Sequence, residues 1–138
     1  MSEAARQKVL IVYDDPAQTR ILQRSLEGAG FQVFSTARGD WAAAMLSQVL
    51  PDLLLLDWDI PGLSSLALTR MIRADARFTR LPILMVGRNI RSENKILALE
   101  AGADLCLDGG ISPRELTARV RALLRRARLL QESHHTLP

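Results

Sequence analysis

The chain has little of several residue types that define other classes of protein. Its 138 residues include a single cysteine, and aromatic residues make up only 4% of the total. One cysteine excludes an internal disulfide framework and fits a reducing compartment, and so few aromatics disfavour a base-stacking platform for nucleic acid. No apolar run reaches the roughly 18 residues that a membrane span needs, and the N-terminus has no signal-peptide core. These absences predict a cytoplasmic protein with no membrane partner.

The remaining composition is that of an ordinary globular domain. Hydrophobic residues make up 48% and charged residues 24% of the chain, which is long enough to bury a core of its own. The net charge of +3 reflects a local excess of arginine in one late segment, at Arg114, Arg119, Arg121, Arg125, Arg126 and Arg128. A solvated helix face is the ordinary explanation, and a surface for nucleic acid or for an acidic partner is the alternative.

Apolar strand patterns alternate with amphipathic helix patterns along the chain. The four leucines at 53–56, followed by Asp57, are typical of a central parallel strand that is buried on both faces. Asp15 before Pro16 predicts one helix start, and a capping box beginning at Ser112 predicts another. The predicted strands are residues 8–13, 31–35, 53–57, 82–86 and 104–107, and the predicted helices are residues 16–27, 40–49, 63–74, 92–100 and a last helix from 113. This succession of β–α units predicts an α/β fold with a doubly wound parallel sheet.

The segment around Asp57 carries a family resemblance. Asp57 ends a predicted strand at the carboxyl edge of the sheet, where α/β proteins form their sites. The sequence LLLLDWDIPG over residues 53–62, together with Gly102-Ala103-Asp104, resembles the receiver domain of bacterial two-component response regulators. The resemblance runs from residue 9 to about residue 126. It implies a flavodoxin-like receiver fold with strand order 2-1-3-4-5, in which Asp57 accepts a phosphoryl group from a histidine kinase. The last helix is most similar to that of the subfamily with winged-helix outputs.

The resemblance also implies a magnesium site beside Asp57. The family carries an acidic pair after its first strand, and the spacing to the second strand places Tyr13 and Asp14 at that pair. Asp15 is then free to cap the first helix. One acid is therefore kept and one is replaced by tyrosine, so that we expect at most weak Mg²⁺ binding by Asp14, Asp57 and the backbone carbonyl of Asp59.

Other family positions have lost their functional side chains. Gly87 stands where the family has a threonine or serine, Cys106 where it has an aromatic switch residue, and Gly109-Gly110 where it has lysine and proline. Losing one preorganised donor typically slows a reaction by about 10²–10³. Without the lysine, we expect the converging carboxylates to raise the pKa of at least one of them. These losses predict an atypical receiver with a vestigial phosphoacceptor, which acts independently of phosphorylation and is not an enzyme.

Three alternatives remain open. The first is a conventional receiver that is phosphorylated slowly on Asp57 with Mg²⁺. The second is a phosphatase of the haloacid-dehalogenase type, because Asp57 and Asp59 also match the D-x-D nucleophile motif of those enzymes. The third is direct binding of nucleic acid by the arginine-rich last helix, which predicts steeply salt-dependent binding.

The ends of the chain are assigned from their patterns. Residues 1–7 are predicted to be a disordered leader, residues 8–128 the receiver domain, and residues 129–138 a helical extension or linker.

A 4-3-4-3 apolar spacing in the last helix indicates a heptad seam that continues out of the domain. The positions that define this seam are Leu116, Val120, Leu123, Ala127 and Leu130.

Helices four and five carry the predicted partner surface. Lys95 with Glu115, and Asp104 with Arg119, are candidate charge pairs across the face that this subfamily uses for dimerisation. Leu105 replaces an acid that usually joins them. We expect a homodimer or a protein partner at this face and a histidine kinase upstream, with nucleic acid contacted only through an output domain.

Overall fold

A five-stranded parallel sheet in the order β2-β1-β3-β4-β5 organises the molecule. The computed structural model describes residues 6–136, with side chains as far as residue 132. The strands are β1 (Lys8–Val12), β2 (Gln32–Thr36), β3 (Leu53–Asp57), β4 (Ile83–Gly87) and β5 (Leu105–Asp108), and the helices are α1 (Pro16–Gly28), α2 (Gly39–Val49), α3 (Ser65–Ala74), α4 (Ser92–Ala101) and α5 (Pro113–Thr136). The predicted fold class and strand order are confirmed.

Most element boundaries lie within one residue of the predicted ones. The largest difference is at α3, which begins at Ser65 rather than at residue 63. The cause is a cap, because the Ser64 hydroxyl accepts a hydrogen bond from the Ala67 N–H at 3.1 Å. Most of the predicted leader, residues 1–5, lies outside the described residues. No helix in the part of the chain that the structure describes is both long and apolar enough to cross a membrane.

The central strand β3 is buried on both faces, as its leucine run predicts. Leu54 and Leu56 pack in the layer that contains α2, α3 and α4, whereas Leu53 and Leu55 pack in the layer that contains α1 and α5. All four side chains are completely buried. Asp57, the next residue along the strand, therefore lies at the carboxyl edge of the sheet, directly above a fully packed core.

The start of α1 separates the roles of two neighbouring acids. Asp15 Oδ1 accepts hydrogen bonds from the N–H groups of Ala17 at 3.0 Å and Gln18 at 3.3 Å. Asp15 is thus the N-cap that the sequence predicts. Asp14 takes no part in this cap and remains available to the carboxyl edge of the sheet.

Helix α5 is longer than the core beneath it. Its buried apolar row is Leu116, Val120 and Leu124, an i, i+4, i+8 row of the kind that packs a helix onto a neighbouring surface. This row differs from the predicted heptad seam at the third position, because Leu124 is buried there and Leu123 is only partly buried. Beyond this row Leu130 is 62% exposed. The predicted extension is helical as far as Thr136, and residues 137–138 lie outside the described residues.

Candidate functional site

The carboxyl ends of the strands enclose a cavity of about 560 Å³ around Asp57. The structure brings most of the predicted site residues together here, on the loops that follow β1, β3, β4 and β5. The polar and backbone groups that line the cavity include Tyr13, Asp14, Asp57, Asp59, Arg88, Gly109 and Gly110. Cys106 does not line it, since its half-buried side chain packs against the core layer of α2, α3 and α4.

Asp57 is the half-buried acid at the centre of this site. Its Oδ1 accepts a hydrogen bond from the Asp59 N–H at 3.2 Å. Burial raises the pKa of Asp57 from 3.8 to about 6, and the negative charges of Asp59 and Asp14 act in the same direction. The expected upward shift of a carboxyl pKa is therefore present in Asp57, although burial is its main cause.

One positive charge lines the cavity together with these carboxylates. Arg88 directly follows β4, and its charge acts to lower the pKa of Asp57. The residue pattern pointed only to the missing lysine at Gly109, on the loop after β5, and did not indicate Arg88 as a site residue. The strand order could have indicated Arg88, because a residue just beyond the end of β4 lies at the same sheet edge as the end of the neighbouring strand β3.

Tyr13 occupies the place of the second acid of the pair. Its side chain is 8% exposed, and its backbone N–H donates to Thr36 O at 3.1 Å. Burial raises the pKa of the phenol, and the charge of Asp57 raises it further. Tyr13 therefore stays neutral and fills space beside Asp57 without supplying the anionic oxygen of a carboxylate.

The donor set fits magnesium only weakly. Asp14 and Asp57 offer the hard oxygen ligands that Mg²⁺ prefers. Within residues 6–132, no group of three His, Cys, Asp or Glu side chains is placed to hold a metal ion. The predicted Mg²⁺ ligands remain the carboxylates of Asp14 and Asp57 and the backbone carbonyl of Asp59. Bound Mg²⁺ would neutralise negative charge there.

Two of the glycines in the site differ in the space around them. A Cβ atom built on Gly87 would lie 3.0 Å from Ile90 Cβ and 3.1 Å from Trp58 Cβ, closer than side chains normally pack. A Cβ atom on Gly109 would meet its nearest neighbour, Arg88 N, at an ordinary 3.4 Å. A side chain at position 87 would thus need its neighbours to move by a few tenths of an ångström, whereas one at position 109 would have ordinary contacts.

The predicted partner residue Asp104 is used within the chain. Its Oδ2 accepts a hydrogen bond from the Ile83 N–H at 2.8 Å and forms an ion pair with Arg73 at 2.9 Å. Arg119 lies 3.6 Å from Glu115 on its own helix. Asp104 therefore ties the start of β5 to α3 and β4, and its pairing with Arg119 across the partner face stays a prediction.

Lys95 lies on the side of α4 that adjoins β5. Its charge acts to lower the pKa of the Cys106 thiol, against burial, which raises that pKa. Lys95 is therefore close to β5 in the folded chain, and its predicted pairing with Glu115 stays a prediction.

A parallel sheet in this order with an acidic cavity at the end of β3 defines the receiver class of signalling domains. Residues 9–121 match the response regulator receiver domain family, and the chain belongs to that family. It is 40% identical over 121 residues to the phosphate regulon transcriptional regulatory protein PhoB of Rhizobium meliloti, which covers 88% of this chain and 53% of that protein.

Further relatives place the chain in the same family. It is 37% identical over 124 residues to the DNA-binding response regulator MtrA of Mycolicibacterium smegmatis, covering 90% of this chain and 53% of that protein. The solved receiver domain of a Francisella response regulator has a TM-score of 0.80 at 26% identity, over 88% of this chain and 98% of that one. The chain spans about half the length of the curated relatives it matches. This membership favours the receiver interpretation of Asp57 over the dehalogenase-type one.

The raised pKa of Asp57 predicts a pH-dependent effect of Asp57→Asn on stability. Because the folded-state pKa is raised, ionised Asp57 opposes folding above about pH 6, and this penalty disappears as the pH falls below 3.8. After discounting for solvent screening, we expect the substitution to stabilise the fold by about 2 kcal/mol near pH 8 and by much less near pH 4. Urea unfolding in the presence of a chelator measures the difference.

Glu27→Gln is the matched control, since Glu27 lies exposed on α1 away from the cavity. It should leave the stability nearly unchanged at both pH values. An equal gain from Asp57→Asn at both pH values would contradict the assignment of the penalty to the carboxylate charge.

The contacts of Asp104 predict a structural role that is measurable in the isolated domain. Asp104→Ala removes the acceptor of a backbone N–H and the partner of Arg73, so that the free energy of unfolding should fall by about 1–3 kcal/mol. Asp108→Ala is the control, because the Asp108 side chain accepts a hydrogen bond from the exposed Gly110 N–H at 3.1 Å and forms no ion pair among the described residues. If thermal unfolding showed Asp104→Ala to be as stable as the control, this role would be refuted.

Proposed function

We propose that this chain is an atypical receiver domain of a response regulator, one that acts as a protein-interaction module in the cytoplasm without needing phosphorylation of Asp57. The observation that carries the proposal is Gly87, which has no hydroxyl to contact a phosphoryl group. Ile90 and Trp58 close the space that such a side chain would occupy. A ligand shifts a conformational equilibrium only through contacts that differ between the two states, and Gly87 cannot make this one.

The second element of a receiver switch is also absent. Cys106 stands at the position of the aromatic switch residue and is already packed against the core. Its small side chain has little surface with which to follow a movement of the loop after β4. Changes at Asp57 are therefore poorly coupled to the surface of α4 and α5, and in this proposal the module is not an enzyme.

Arg88 favours slow phosphorylation as the second candidate function. Phosphoryl transfer depends mainly on positioning and on charge stabilisation, and Arg88 supplies a positive charge in the cavity. Asp57 is the carboxylate that would attack, and it is mostly ionised above about pH 6. With Mg²⁺ held by Asp14 and Asp57, the residues needed for a slow reaction are present even though the hydroxyl is not.

The proposed partner surface lies on α4 and α5. Ile96, Leu97 and Leu99 of α4 are 54%, 41% and 49% exposed, an unusual amount of apolar surface for one ten-residue helix. Lys95 on α4 and the Glu115–Arg119 pair on α5 supply charged groups at the same face. We assign this face to a second copy or a partner protein, with a histidine kinase upstream. Contact with DNA, the activity named for MtrA, is assigned to an output domain.

Incubation with a small phosphodonor and Mg²⁺ separates the two candidates. If the proposal is correct, intact-mass measurement shows no phosphorylated species, because the hydroxyl donor and the lysine are both missing. Asp57→Asn is the control for the site of any modification. A mass gain in the wild type that disappears in Asp57→Asn would establish the slow receiver instead.

The packing around Gly87 predicts that a hydroxyl cannot simply be restored. Gly87→Ser places a Cβ atom against Ile90 and Trp58, and we expect it to destabilise the fold by about 1–3 kcal/mol. Ile90→Gly removes both Ile90 atoms that the new Cβ would meet, Cβ at 3.0 Å and Cδ1 at 3.1 Å, so the double variant should lose less stability than the sum of the single losses. A double-mutant cycle by urea unfolding measures this coupling.

The matched control is Gly109→Ser, because the Cβ position on Gly109 has ordinary contact distances. This substitution should change the stability much less than Gly87→Ser does. Strict additivity of Gly87→Ser and Ile90→Gly would show that Ile90 does not crowd position 87.

A further inference from the structure

Arg88 is an exposed cationic residue that lines the Asp57 cavity just beyond the end of β4. Four carboxylates, those of Asp14, Asp15, Asp57 and Asp59, line the same space of about 560 Å³. Arg88 forms no ion pair with any of them in the part of the chain that the structure describes. Its charge lowers the pKa of Asp57, although burial, the Asp59 N–H and the charges of Asp59 and Asp14 act on that pKa more strongly.

The backbone explains how a cation after β4 reaches this place. Gly109 N–H donates to Gly87 O at 3.0 Å and holds the loops after β4 and β5 together. A side chain at position 109 would begin 3.4 Å from Arg88 N. Position 109 and Arg88 are therefore neighbours at the mouth of one cavity, and Arg88 is the one cationic side chain among the described residues that line it.

We propose that Arg88 is the resident cation of the Asp57 cavity, where it neutralises the carboxylates that would otherwise bind Mg²⁺. This inference rests on the proposed function and names the residue that regulates Mg²⁺ binding at the same site. Arginine stays protonated at every physiological pH, so its charge is always present. Because Arg88 and a divalent ion are drawn to the same acids and repel each other, the guanidinium lowers the affinity for Mg²⁺.

Arg88→Gln tests the proposal, because glutamine keeps a polar side chain and removes the charge. Removing one positive charge several ångströms from a divalent ion should tighten Mg²⁺ binding by roughly ten-fold at low ionic strength. Arg88→Lys keeps the charge and should bind Mg²⁺ like the wild type. Arg91→Gln is the control for general charge, since Arg91 is exposed in the same loop and lies 3.8 Å from Glu93.

The measurement is a Mg²⁺ titration followed by tryptophan fluorescence and by calorimetry. Trp58 adjoins Asp57, and replacing the exposed Trp41 by phenylalanine in every variant leaves Trp58 as the only tryptophan. Tighter binding in Arg88→Gln alone supports the proposal. It is overturned if Arg88→Gln binds Mg²⁺ no better than the wild type, if neither method detects binding in that variant, or if Arg91→Gln tightens binding equally.

These outcomes are independent of the phosphodonor experiment. Mass gain on Asp57 would overturn phosphorylation-independent action and leave the competition between Arg88 and Mg²⁺ standing. An unchanged affinity for Mg²⁺ in Arg88→Gln would show that Arg88 does not compete with Mg²⁺. It would leave the result of the phosphorylation experiment unaffected.

Discussion

Burial of the central strand is the constraint on which the rest of the molecule depends. Leu53, Leu54, Leu55 and Leu56 are removed from water on both faces of the sheet, and full burial of a leucine side chain contributes about 1.5–3 kcal/mol. The strand cannot end earlier or shift its register by one residue without exposing part of this run. Asp57 is therefore carried to the edge of a low-dielectric core, and its raised pKa is the electrostatic consequence.

The changes around Asp57 belong together physically. Gly87 allows the close approach of Ile90, which would have to move by a few tenths of an ångström to admit a larger residue there. Likewise, the cation that lines the cavity comes from Arg88, beside a Gly109 with ordinary contact distances. Close packing thus accompanies the missing hydroxyl, and one positive charge offsets part of the negative charge around Asp57.

The sequence was sufficient for those features that depend on local order along the chain. Strand and helix patterns predicted the elements of a parallel sheet, and the family resemblance implied the strand order. The Asp15-Pro16 pair predicted the helix cap that leaves Asp14 to the site. The pattern could not reveal Arg88 or Ile90 as site residues, because their roles arise from contacts across neighbouring loops. The same is true of Asp104, whose partners Arg73 and Ile83 lie at least 21 residues away in the chain.

The contacts of Asp104 also bear on how the proposed partner face works. Both of its bonds within the chain use Oδ2, so Oδ1 can accept from a partner without breaking either of them. Exposed ion pairs contribute little, with a median of about 0–1 kcal/mol. In the function that we propose, association through α4 and α5 therefore draws its free energy mainly from the exposed apolar residues Ile96, Leu97 and Leu99. Such a contact does not depend on the charge state of Asp57, in agreement with the independence from phosphorylation that we propose.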